Sequence, residues 1–162
     1  MGRNTSQATE RGFSMFEEEY QKFWQEFGDS RNMVLSTSLH DVVSSRTMSI
    51  IQLKGVLYFQ TDCTFRKYPQ LKQNPHVALC TGNIQIEGLC EEIGVPTEHE
   101  ELCNAYKECF PSSYRRYSHL QNERLFAVTP VLIERWHYVD GEPFMQMIDV
   151  EHKRAVWEPY LG

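Results

Sequence analysis

The chain has 162 residues, 41% hydrophobic and 23% charged, a balance that suits one folded domain with a core of its own. Its net charge of −6 at pH 7 argues against a general nucleic-acid binder, whose surface would be basic. No stretch approaches the roughly 18 continuous apolar residues of a membrane span, and the polar opening MGRNTSQATERG lacks the apolar centre of a secretory signal. A cytoplasmic protein with no nucleic-acid or membrane partner is therefore expected. The five cysteines form no C-x-x-C pair and are expected as reduced thiols, and the six histidines show no metal-ligand spacing, so no metal site is expected.

Residues 1–13 read as a mobile tail ahead of a single domain over residues 14–162; Gly2 to Gln7 weakly echo the myristoylation pattern, with a hydroxyl one residue early as well as at the expected place, and lipidation is not expected. Ser14 and Glu17 form a capping box, Phe16, Tyr20, Phe23, Trp24 and Phe27 follow at helical spacing, and Gly28 ends the run. The aromatic face of this helix is expected to pack on the core. From Met33 the period changes to two, so MVLSTSL reads as a strand, His40-Asp41 as a turn and Arg46 to Leu53 as a second strand. Lys54-Gly55 is a tight turn and Val56 to Gln60 a third strand, which makes an antiparallel meander.

A short helix is expected over Phe65 to Gln73, with Pro69 in its first turn and Asn74-Pro75 beyond its end. His76 to Cys80 and Ile84 to Glu92 read as the fourth and fifth strands. An acidic helix follows over residues 97–110, with Thr97 and Glu100 as a second capping box and Leu102, Tyr106, Cys109 and Phe110 facing inward, and Pro111-Ser112-Ser113 is expected to break it. Leu125 to Thr129 and Val131 to Val139 are strands flanking a bend or bulge at Pro130, and Asp140-Gly141 is a turn. The tail beyond, with Phe144, Met145, Met147 and Trp157, is too apolar to float free and is expected to pack or pair. Short strands with tight turns and a few helices predict a mainly β (α+β) protein, an antiparallel barrel with flanking helices.

The chain has no Gly-rich phosphate loop, no G-x-S-x-G elbow and no H-E-x-x-H motif. A phosphate site here must use side chains and strand or turn amides. Arg46, at the start of a strand, offers a planar bidentate fork. Arg66 and Lys67 stand at a helix start, Lys72 lies close behind, and Thr61 and Thr64 can add hydroxyl donors. Arg46 and Lys67 belong to consecutive strand–turn units and can meet in space.

The segment from about Met33 to Glu92 resembles the pyridoxamine 5′-phosphate oxidase-like, FMN-binding split-barrel family. The resemblance rests on Arg46-Thr47-Met48-Ser49, the turn at Gly55, YFQTDCTFRK, LKQNPHVALC and a strand ending in Glu87-Gly88, with weaker similarity out to Trp136. It implies an antiparallel split β-barrel and a homodimer with FMN at the interface. By the same resemblance Arg46 grips the FMN phosphate, and Thr47, Met48 and Ser49 run beside the isoalloxazine ring with their backbone groups. Gln60 and Thr61 contact the flavin, Arg66 and Lys67 hold the phosphate, Asn83 reaches the cofactor from the fifth strand, and Trp136 closes the site from the partner subunit. Phe65 stands where many members have serine, and Thr64 is the neighbouring hydroxyl that can replace it. The Arg-Leu-His substrate segment of the true pyridoxamine phosphate oxidase is missing, the chain reading RWHYVDGEPFMQ instead, and the acidic helix is inserted between barrel strands. Oxidation of vitamin B6 is therefore not expected.

The function implied is that of an FMN-dependent oxidoreductase acting on an unidentified small molecule, with no acid or base assigned, because the flavin itself carries the redox chemistry. A flavin-binding redox sensor or storage protein, and a haem-binding relative on the same barrel, are the alternatives; the last requires a histidine near the cleft.

Overall fold

The computed structural model describes residues 4–162, with side chains from Met15 onward. Gly2, and with it the start of the myristoylation-like segment, lies outside the described residues. The first helix, α1, spans Asn4–Phe27, so Ser14 sits within it and not at its cap. None of the described helices is long and apolar enough to cross a membrane.

Strands β1 (Ser30–Leu39), β2 (Val42–Leu53) and β3 (Val56–Asp62) form the predicted meander. Their turns use His40 and Asp41, with φ of 51° and 63°, and Lys54 and Gly55, with φ of 52° and 78°. Two successive residues at positive φ match the twist of the strands they join. Gly55 is required for a second reason, since a Cβ there would lie 2.8 Å from the Tyr20 hydroxyl and 3.1 Å from Trp24 Nε1 of α1.

Helix α2 (Lys67–Gln73) leads to β4 (His76–Thr81) and β5 (Ile84–Gly94). Next come a 3₁₀ turn (Pro96–Glu98), α3 (Glu100–Cys109), α4 (Pro111–Tyr117), β6 (Glu123–Val139), β7 (Glu142–Asp149) and β8 (Arg154–Pro159). Strand order β3-β2-β1-β4-β5-β6, closed by pairing of β3 with β6, makes a six-stranded antiparallel barrel, and β7 and β8 extend the sheet beyond β6. The mainly β split barrel with flanking helices is thus the observed architecture, and the apolar tail pairs as expected.

The expected capping box at Thr97 does not form. Thr97 falls in the 3₁₀ turn and His99 precedes α3, held by a 2.7 Å hydrogen bond between its Nε2 and the Ile93 carbonyl. Pro111 ends α3 as read, but it also opens α4, because a proline needs no N–H partner in a first turn.

Two clusters of apolar side chains hold the fold. Phe16, Phe23, Trp24 and Phe27 of α1 join Leu35, Ile50, Phe59, Leu79, Ile86, Val128 and others in the barrel core. A smaller cluster of Ile51, Leu102, Tyr106 and Leu125 ties α3 to the barrel wall.

The two strands expected around Pro130 are one continuous β6 with a bulge. Gly88 pairs with Pro130 and Glu87 with Leu132, which leaves Val131 out of the β5 ladder. A Cβ on Gly88 would lie 2.6 Å from Val128 Cγ1 and 2.8 Å from the Thr129 carbonyl. Gly88→Ala is therefore expected to destabilise the protein by about 1–3 kcal/mol through overpacking. Urea unfolding should show the loss as a lower midpoint with an unchanged slope; an unchanged midpoint would mean the strands can part without cost.

Candidate functional site

The split in the barrel makes the site. Strands β2 and β3 pair only between residues 51–53 and 56–58, after which β3 leaves β2 and pairs with β6 over residues 57–62 and 123–128. The edge of β2 at Thr47–Ser49 is paired with β1 on one side and free of β3 on the other. An open strand edge offers backbone donors and acceptors in a row. A cleft of about 300 Å³ lies against it, within the size range of small-molecule sites.

One wall of the cleft is β2 and β3, through Thr47, Met48, Ser49, Gln60, Thr61 and Asp62. The other is the inserted α3–α4 pair with the loop after it, through Tyr106, Ser113, Tyr117 and Leu120. Phe65, Lys67 and Glu123 complete it. The insertion is fastened to the site. The buried Tyr106 hydroxyl donates to the Ser49 and Tyr58 carbonyls at 3.1 and 3.3 Å, and Ser118 Oγ donates to Gln60 Oε1 at 2.8 Å. Burial also pushes the Tyr106 hydroxyl far above the usual phenol range, so it stays a donor.

Arg46, Arg66 and Lys67 gather at one end. Arg46 donates to Thr37 Oγ1 at 2.8 Å, Gln70 Oε1 at 3.2 Å and the Leu35 carbonyl at 3.3 Å, all neutral acceptors. Gln70 is itself fixed by Thr37 and Ser44. Burial lowers the pKa of Arg46, with the Arg66 charge adding to it, and burial lowers that of Lys67, with Arg46 adding to it. Cations brought together and partly buried in this way are poised for an anion. Among the described residues, none of these three cations takes part in a salt bridge.

Of the residues predicted for the site, Thr47, Met48, Ser49, Gln60, Thr61 and Lys67 line the cleft, and Arg46 and Arg66 stand beside Lys67. Thr64 is engaged locally, since its N–H and hydroxyl both donate to Asp62 Oδ1 at 2.7 Å. Asn83 lies in the turn ahead of β5 and not on that strand, and its amide bonds the Trp136 carbonyl. Trp136 packs edge-on against Tyr160, with ring centres 5.3 Å apart. Neither Asn83 nor Trp136 lines the cleft of its own chain.

Sequence reasoning missed Asp62 and Glu123, which face each other in the β3–β6 ladder. Like charges directly opposite on neighbouring strands are unfavourable. The structure separates them. The side-chain and backbone hydrogen bonds from Thr64 hold the half-buried Asp62 carboxyl below its usual range. Glu123 is 5% exposed, and burial first, then the Asp62 charge, push its pKa up to about 7 despite Lys67 and Arg124. The one signal in the sequence was period: Glu123 is two residues from Leu125 and four from Ala127, on the buried side of the strand.

These residues fit the phosphate and ring of a flavin mononucleotide: the cations suit its phosphate, the free β2 edge suits a planar polar ring, and Thr61 Oγ1 is buried with no partner.

Comparison with solved structures places the chain among the pyridoxamine 5′-phosphate oxidase-like split barrels by fold. General stress protein 26 of Bacillus anthracis matches at 26% identity with a TM-score of 0.53, over 78% of this chain and 95% of that one. A pyridoxamine 5′-phosphate oxidase-related, FMN-binding protein of Nostoc punctiforme matches at 16% identity with a TM-score of 0.55, over 82% and 88%. The haem storage protein of Vibrio cholerae matches at 17% identity with a TM-score of 0.56, over 71% and 89%. The sequence itself matches no protein-family model and no curated protein.

The Glu123 shift carries a pH dependence. The folded protein holds this proton more tightly than the unfolded chain, whose glutamate titrates near 4.5. The stabilisation is fully present below 4.5 and is lost as pH rises through about 7. Between pH 5 and pH 8 the wild type should therefore lose about 2 kcal/mol relative to Glu123→Gln. Urea midpoints of both proteins at the two pH values measure this; parallel pH profiles would refute it.

Proposed function

We propose that the protein binds flavin mononucleotide in this cleft and is a flavoprotein oxidoreductase acting on a small molecule. The observation that carries the reading is the meeting of Arg46, Arg66 and Lys67 beside a strand edge left free by the split. When bound, the flavin would supply hydride or electron transfer at its ring. The chain's own part is to bind and orient it. Arg46, held by Thr37 and Gln70, presents a fixed guanidinium to the phosphate, which limits the side-chain entropy lost on binding. Tyr106 and Ser118 hold Ser49 and Gln60 in place. Among the described residues no histidine lines the cleft of its own chain.

The protein should bind FMN more tightly than riboflavin, which lacks the phosphate. Arg46→Ala should weaken FMN binding by about 1.5–3 kcal/mol, tenfold or more. Lys72→Ala should change it little, because Lys72 is paired with Glu92 at 2.9 Å on the surface. Flavin fluorescence titrations decide both points. Equal affinities for FMN and riboflavin, or for the two variants, would remove the phosphate site.

The reading includes a homodimer with FMN at the subunit boundary. The cleft of about 300 Å³ is at the small end for a ligand site, and a flat ring on an open edge needs a second wall to leave water. The β6–β8 extension carries an exposed aromatic surface that could supply that wall, with Tyr138 62%, Tyr160 57% and Trp157 39% exposed. Trp136 lies in the same group. A two-fold arrangement would create two equivalent sites. Light scattering of the FMN-loaded protein should give about twice the 19.1 kDa chain mass; a monomer with flavin still tightly bound would defeat the shared site.

A further inference from the structure

The cleft holds an acid as well as cations. Glu123 Oε2 is buried and has no hydrogen-bond partner, and it sits in the lining together with Lys67 and the equally unpartnered Thr61 Oγ1. Among the described residues no ion pair includes Glu123. A buried carboxyl oxygen without a partner costs free energy that a ligand can return.

The groups facing Glu123 come from every element around it. Asp62 stands opposite on β3, Lys67 opens α2, and Arg124 follows on β6, its guanidinium bonding the Glu123 carbonyl and the Glu92 carboxylate. Tyr106 of α3 and Tyr117 of α4 line the same cleft, and Arg46 on β2 acts on Lys67. Asp62 is committed to the charged form by Thr64, which donates to it twice. When a phosphate dianion enters, a second negative charge at the buried Glu123 would repel it. A carboxylic acid in the same place can donate its proton to a ligand oxygen instead.

We propose that Glu123 is a ligand-binding residue that accepts a proton from solvent when an anionic phosphate ester occupies the cleft, and then donates a hydrogen bond to the ligand. Binding of FMN is thereby coupled to uptake of one proton. This rests on the flavin reading above and adds to it a residue that tunes the site for anions by pH. The two carboxyls divide the work: Asp62 stays ionised and orders the turn before α2, and Glu123 changes state.

The test is calorimetric titration of the protein with FMN at pH 8, in buffers of different ionisation enthalpy, with flavin fluorescence followed in parallel. At this pH the free phosphate, whose second pKa is about 6, is already a dianion and adds no proton of its own. Wild type should take up close to one proton per FMN bound, since a carboxyl titrating near 7 is mostly ionised before binding. Glu123→Gln should bind FMN with uptake near zero. Should that variant not fold, carbon-13 NMR of the wild-type glutamate carboxyls reads the same event, as one resonance moving to the protonated position on addition of FMN. FMN binding without proton uptake by the wild type, or with equal uptake by Glu123→Gln, overturns the proposal and leaves the flavin reading standing. Absence of any FMN binding overturns both.

Discussion

The pairing of β3 with the first half of β6 is the contact on which the rest of the molecule depends. It closes the barrel through Leu57–Asp62 and Glu123–Val128. Strand β3 stays on β2 only through residues 56–58 but follows β6 as far as residue 62, so the strand that closes the barrel also leaves the β2 edge beyond it open. Closure also brings Thr61 and Asp62 against Glu123, and so decides which charges meet at the cleft. Strand β6 can serve β3, β5 and β7 because it is 17 residues long and bulged at Val131.

The inserted α3–α4 pair gains its place from that geometry. Its apolar side chains, Leu102 and Tyr106, need a surface, and Ile51 and Leu125 on the outside of the closed barrel provide one. Having docked, it reaches the polar groups of the cleft through Tyr106 and Ser118. A segment that looks like an acidic interruption in the sequence is the second wall of the site. The same tyrosine serves packing and polar positioning, so neither role can be changed alone.

The barrel was legible because its signals are local. Alternation in MVLSTSL, the positive-φ pairs at His40-Asp41 and Asp140-Gly141, and the aromatic stripe from Phe16 to Phe27 each declare their element within a few residues. The cluster of cations was legible because Arg46, Arg66 and Lys67 stand out in an acidic chain and resemble a family pattern. What could not be read depends on pairing between distant segments. Glu123 looks like an ordinary charged residue at a strand start until Asp62 is placed opposite and the helices cover it. Asn83 lies in the turn before β5, and its amide bonds the Trp136 carbonyl 53 residues further along the chain, a pairing that no local pattern announces. The helix starts read at Ser14 and Thr97 differ from those observed, because a capping box is a local pattern that also occurs where no helix begins: Ser14 lies inside α1 and Thr97 in the 3₁₀ turn.

The closing contact also sets an order of assembly. Strands β1, β2 and β3 are joined by two-residue turns and lose little loop entropy in finding one another. The β3–β6 pairing joins residues 57–62 to residues 123–128, across α2, β4, β5 and the whole inserted pair. Contacts of such long sequence separation are slow to form, because the chain must be ordered between them before they contribute. The cleft is built on this contact, so it is a property of the finished barrel and of no smaller part of the chain. Any molecule that binds the closed barrel alone would stabilise that seam by mass action.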